Sequence, residues 1–125
     1  MKRVLIPTAL FVTTLALWAC GGTSSSSPTS PTGTSAPPAG ATVIDVVREN
    51  GAQSFSPNPA TVPAGQMVVW HNVDTVTHRV VLNDGTLDTG NIGPGGFSAP
   101  MTLRAVGPYH CSIHPSMVGT IVSGQ

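Results

Sequence analysis

From residue 42 onward, turn-forming residues interrupt the chain every few positions, and no segment between them carries helical periodicity. Pro57-Asn58-Pro59, Pro63-Ala64-Gly65 and Asn83-Asp84-Gly85 each break the chain after a short run of apolar and β-branched residues. Such runs fall at 42–47, 54–56, 60–62, 66–71, 77–82, 97–103, 108–111 and 117–122, and each reads as an extended piece or strand. Residues 84–96 hold five glycines and one proline and read as a loop. Many short strands with regular turn punctuation predict an all-β sandwich or barrel. With about 84 residues from 42 to 125, one small domain with one modest core is the expectation.

The first 41 residues cannot join that core. Lys2 and Arg3 are followed by an apolar run over 4–18 and then by Leu17-Trp18-Ala19-Cys20. This is the layout of an export signal, and the last four residues resemble a lipobox. The run is short for a membrane-spanning helix, which needs about 20 apolar residues. Residues 1–20 are therefore expected to be a lipoprotein signal peptide, with Cys20 the lipidation site. Residues 21–41 consist of Gly, Ser, Thr, Pro and Ala alone, too little apolar surface to offset the entropy of ordering. They are expected to form a disordered linker, reaching roughly 60 Å at about 3.1 Å per extended residue. The domain, residues 42–125, would then sit in the cell envelope or periplasm, tethered to a membrane by its lipid.

The chain has two cysteines. If Cys20 carries lipid, Cys111 is a lone thiol in an exported protein, and that calls for a use. Beyond residue 20 the charges are Arg48, Arg79 and Arg104 against Asp45, Glu49, Asp74, Asp84 and Asp88, with no lysine. Such a sparse and slightly acidic set has no basic patch, which argues against a nucleic-acid partner.

A use for the thiol is written around it. The run Tyr109-His110-Cys111-Ser112-Ile113-His114-Pro115-Ser116-Met117 spaces Cys111, His114 and Met117 three apart, and His78 begins a strand upstream. In a tight loop leaving a strand, that spacing lets three side chains converge, with Pro115 stiffening the backbone after His114. One thiolate, two imidazoles and one thioether are the donors of a blue-copper site, in which the thioether lies on the axis of a trigonal plane. Zinc competes for sulfur and imidazole but has no preference for a thioether. Taken singly, Cys111 and Met117 would be core hydrophobes and His78 a hydrogen-bonded histidine; their joint spacing favours a copper site. Alternation along the strand sends His110 to the face opposite Cys111. His110 and His71 are read as non-ligands.

Further segments share a resemblance with these. Phe55-Ser56-Pro57-Asn58-Pro59, Val62-Pro63-Ala64-Gly65, Val68-Val69-Trp70-His71-Asn72, Thr77-His78 and the 109–119 run resemble the cupredoxins, above all the amicyanin, pseudoazurin and plastocyanin branch. The short gap between His114 and Met117 is similar to that of amicyanin. The resemblance covers essentially the whole domain and implies a cupredoxin-like Greek-key β-sandwich with one type 1 copper ion held by His78, Cys111, His114 and Met117. It also implies that the N–H of residue 79 points at the Cys111 sulfur. Arg79 stands where the branch usually has an asparagine that braces the ligand loop, and Ile113 stands where amicyanin has proline.

The implied function is the transfer of single electrons between transient redox protein partners, with His114 at the surface as the port. A copper carrier for delivery or buffering is the alternative. Enzymatic activity is not expected: multicopper oxidases share the fold, but four histidines cannot supply both a type 1 site and a trinuclear cluster.

Overall fold

The computed structural model describes residues 36–125. The expected signal peptide, Cys20 and the linker up to residue 35 lie outside the described residues. Eight strands follow in order: β1 (Thr42–Val46), β2 (Phe55–Ser56), β3 (Ala60–Pro63), β4 (Met67–Asn72), β5 (Val80–Leu82), β6 (Met101–Thr102), β7 (Gly107–Cys111) and β8 (Val118–Gly124). Among the described residues, helical structure is one 3-10 turn at Gly51–Gln53, and no helix is long and apolar enough to cross a membrane.

The strands form two four-stranded sheets, β2-β1-β4-β6 and β3-β8-β7-β5. Pairing is parallel between β1 and β4 and between β3 and β8, and antiparallel elsewhere. The chain therefore crosses repeatedly between sheets, and the result is the Greek-key β-sandwich expected from the sequence. Its core follows from the period of two along each strand. Ile44 and Val46 point inward from β1, Val68 and Trp70 from β4, Val80 and Leu82 from β5, and Tyr109 and Cys111 from β7. Trp70 and Tyr109 meet edge to face at 5.8 Å, and Phe55 meets Tyr109 at 4.8 Å. Cys111 and Met117 belong to this same buried cluster, so the Cys111 sulfur lies with the core rather than in a surface loop.

The expected strands hold where alternation is strong and shrink where it is not. The strand expected over 97–103 is only Met101–Thr102, with Phe97 in a single bridge to His71. Pro100 has no N–H for a ladder. Here the Ser98 hydroxyl takes the place of a ladder acceptor, receiving the Trp70 N–H at 3.0 Å. The strand expected over 77–82 starts at Val80, and His78 pairs instead with Ile92 through N–H to carbonyl bonds of 3.1 and 2.7 Å. The 84–96 loop thus bridges the 78–82 stretch at two points, Asp88 opposite Val81 in β5 and Ile92 opposite His78 just before it.

Candidate metal centre

Two chain segments meet at one end of the sandwich. One is the stretch 73–79 between β4 and β5, and the other is the 111–117 loop between β7 and β8. The second closes on itself: the Cys111 N–H bonds the Met117 carbonyl at 3.1 Å, and the Met117 N–H bonds the His114 carbonyl at 3.0 Å. Ser116 donates from its hydroxyl to Glu49 at 2.5 Å, tying the loop to the segment after β1. These bonds bend the backbone so that Cys111 and His114, three residues apart, face one point.

At that point three donor atoms form a near-equilateral triangle. Cys111 Sγ lies 3.7 Å from His78 Nδ1 and 3.8 Å from His114 Nδ1, and the two Nδ1 atoms are 3.3 Å apart. The point equidistant from all three is about 2.1 Å from each, the scale of metal–imidazole and metal–thiolate bonds. His78 and Cys111 are fully buried and His114 is half-buried. Met117, also fully buried, returns the loop to the core at its far end.

The chemistry of the donors fits a metal ion. Asp74 Oδ2 is 3.0 Å from His78 Nε2. A carboxylate only accepts, so the imidazole proton resides on Nε2 and the Nδ1 lone pair faces the triangle. Two buried donors, Cys111 Sγ and His78 Nδ1, and the half-buried His114 Nδ1 thus face one point, an arrangement that a cation between them would satisfy. Soft sulfur combined with imidazole suits copper, with zinc the main competitor, and a buried thioether in the same loop favours copper.

A polar scaffold holds His78 in place. Asn72, fully buried at the end of β4, donates through its side-chain amide to the Val76 carbonyl at 2.7 Å and the Ile92 carbonyl at 2.9 Å. Its Oδ1 accepts the Asp74 N–H at 3.0 Å. The loop is thereby fixed around one side chain, and the Asp74 carboxylate is aimed at His78. The Thr75 N–H first, and the His78 ring second, hold the Asp74 carboxyl below its usual range. Arg79 N–H points at Cys111 Sγ at 3.5 Å, as the family resemblance implies.

The structure brings together His78, Cys111 and His114, and seats Met117 beside Cys111 in the core. It keeps the other two histidines away. His110 lies on the outer face of its sheet, 2.6 Å from Asn83 Oδ1. His71 stacks on Phe97 at 4.1 Å and lies 3.0 Å from Asp45. Sequence reasoning passed over Asn72 and Asp74. Their only signal was an Asn-x-Asp just after a strand, a common pattern for side chains that organise a turn.

No protein-family model matches the sequence, and no curated relative does. Solved structures do match. A purple cupredoxin from Nitrosopumilus maritimus is 24% identical, with a TM-score of 0.54 over 66% of this chain and 99% of that one. A reduced amicyanin variant is 24% identical, with a TM-score of 0.55 over 69% of this chain and 84% of that one. The copper(I) form of another amicyanin variant is 26% identical, with a TM-score of 0.53 over 68% and 83% of the two chains. These likenesses establish the cupredoxin-like sandwich.

Proposed function

We propose that this chain is an electron carrier that holds one type 1 copper ion through Cys111, His78 and His114, with Met117 as the weak axial ligand. The observation that carries this reading is the donor triangle, in which one buried cysteine sulfur and two imidazole Nδ1 atoms are preset at metal-binding separation. Copper bound there would supply a one-electron Cu(I)/Cu(II) couple. The protein's part is to keep the donors still. Loop bonds at Cys111 and Met117, the Asn72 scaffold and core burial all oppose movement of the ligands between oxidation states. The Cys111 thiolate would provide the electronic coupling. His114, half-buried and flanked by exposed Ile113 and Pro115, would be the port at which a redox partner docks transiently. Small, weak interfaces suit such exchange.

With four histidines in all, and His71 and His110 turned to outer faces, the chain lacks donors for a second copper cluster. The proposed role is therefore carriage, not catalysis. Export, lipidation at Cys20 and a flexible tether over 21–41 complete the proposal. They would hold the carrier in the envelope near membrane partners and raise its effective concentration there. Mass spectrometry of the membrane fraction, comparing the native chain with Cys20→Ala, tests that part; a Cys20→Ala chain that still partitions with lipid would refute it.

Copper titration of the purified protein tests the central claim. Addition of Cu(II) should produce an intense visible band and the narrow copper hyperfine splitting of a thiolate-bound site in EPR. A folded protein that stays colourless in Cu(II) would refute the type 1 site, and one that stays colourless but binds Cu(I) and passes it rapidly to a chelator would instead be a metal carrier.

Asp74 gives a quantitative test of the scaffold. Asp74→Asn replaces an anionic acceptor on His78 Nε2 by a neutral one, lowering the basicity of the imidazole. Cu(II) suffers more than Cu(I), so its affinity should fall about 10-fold or more. A tenfold differential loss raises the midpoint potential by about 59 mV. Voltammetry of the variant showing no rise would mean that the carboxylate does not tune the site.

A further inference from the structure

The residue after the first histidine carries a side chain whose role the copper reading leaves open. Arg79 sits between His78 and Val80, and its backbone faces the other way from theirs. His78 and Val80 direct their N–H and C=O groups to the 88–92 segment: His78 to Ile92, Val80 to Thr89 at 3.0 Å through the backbone and 2.9 Å through Thr89 Oγ1. Arg79 directs its groups to the thiolate strand. Its N–H points at Cys111 Sγ at 3.5 Å, and its carbonyl accepts the Ser112 N–H at 2.8 Å. The regular ladder between these strands begins only at Val80 opposite Cys111, so Arg79 holds its place at a fraying end.

The Arg79 side chain makes the connection that its backbone does not. Nε donates to Asp88 Oδ1 at 2.8 Å, and a terminal guanidinium nitrogen donates to Oδ2. Asp88 Oδ1 also accepts the Gly90 N–H at 2.9 Å, which anchors the carboxylate to its own turn. Residue 79 is thus held from both sides, by the thiolate strand through its backbone and by the 84–96 loop through a two-point ion pair.

We propose that the Arg79–Asp88 pair is a positioning clamp that holds the residue 79 peptide against the Cys111 sulfur, taking over from outside the role that a side-chain brace next to the ligand loop would play. The clamp rests on the copper reading for its purpose, but its mechanics can be measured without metal. Both side chains are nearly half exposed, and exposed pairs contribute little singly. The two-point geometry strengthens such a pair, and effects of a few-fold are expected.

The test uses the full-length protein and the variants Arg79→Gln, Asp88→Asn, Asp88→Glu and the double Arg79→Gln/Asp88→Asn. In the metal-free protein, amide exchange at Ser112 should quicken by roughly two- to fivefold in each neutral single variant. Exchange at Ile121, deep in β8, should stay at its native rate. The double variant should match the singles, because one broken pair is broken once, and Asp88→Glu should restore the slow rate. In the copper-loaded protein the neutral variants should lower the midpoint potential, since a weaker N–H to sulfur bond leaves the thiolate more electron-rich. Unchanged exchange at Ser112 in both single variants, or additive effects in the double, would overturn the clamp. A native protein with no charge-transfer band in Cu(II) would sink the copper reading alone, because the exchange measurements need no ion.

Discussion

Replacement of Cys111 by serine should abolish the visible charge-transfer band of the copper-loaded protein while leaving a folded sandwich. The side chain is fully buried at the end of β7, and Arg79 N–H and both imidazole Nδ1 atoms converge on its sulfur. Serine has nearly the same shape but offers a hard oxygen that does not ionise near neutral pH, so the soft donor that selects copper is lost. Burying the hydroxyl should cost about 1–2 kcal/mol, a figure limited by the Arg79 N–H, which can donate to it. The measurement is paired: a denaturation curve to establish folding, and absorption with EPR to read the site. His110→Ala is the matched control. Its ring lies on the outer face against Asn83, so colour and hyperfine splitting should persist. If Cys111→Ser kept the native spectrum, or His110→Ala erased it, the donor set would have been assigned to the wrong side of the strand.

Much of this arrangement is legible in the chain, for a reason that differs between parts. β1, β4, β7 and β8 pair along four or more residues, and their alternation is set by the core they share. Such strands announce themselves. Residues 97–103 and 77–79 do not, because single bridges and a serine hydroxyl replace the ladder there, and those contacts depend on what lies opposite. The same division runs through the site. Cys111, His114 and Met117 come from one loop, so their spacing alone predicts convergence. His78, two residues before β5, is brought to Cys111 by the pairing of β5 with β7, and the order of elements already suggests that the two loops meet. Asn72, Asp74 and Asp88 act through loop geometry. Asn72 reaches a carbonyl 20 residues away, and Asp88 reaches a guanidinium nine residues back. No local pattern encodes such distances, and only the folded loops reveal them.

The largest effect on stability is expected at a residue with no side chain. Gly119 stands opposite Tyr109 in the register of β7 and β8, and the Tyr109 ring lies across it. A methyl group at 119 would fall 2.3 Å from Tyr109 Cζ, 2.5 Å from its hydroxyl oxygen and 2.7 Å from Cε2. The ring cannot swing away, because Phe55 and Trp70 hold it edge-on from two other directions and Tyr109 is fully buried. Gly119→Ala should therefore destabilise the domain by about 3 kcal/mol, near the top of the range for overpacking. Tyr109→Leu removes the obstructing atoms at a cost of its own. In the Gly119→Ala/Tyr109→Leu double variant the losses should fall short of the sum of the singles by about 1 kcal/mol or more, the mark of two residues competing for one space. Tyr109 is two residues before Cys111 on the same inward face of β7. A displaced ring would push the strand that carries the sulfur, so the copper band of Gly119→Ala should shift as well as its melting point. Strict additivity of the two substitutions in chemical denaturation would show that Gly119 is spared a side chain for some reason other than the phenol lying across it.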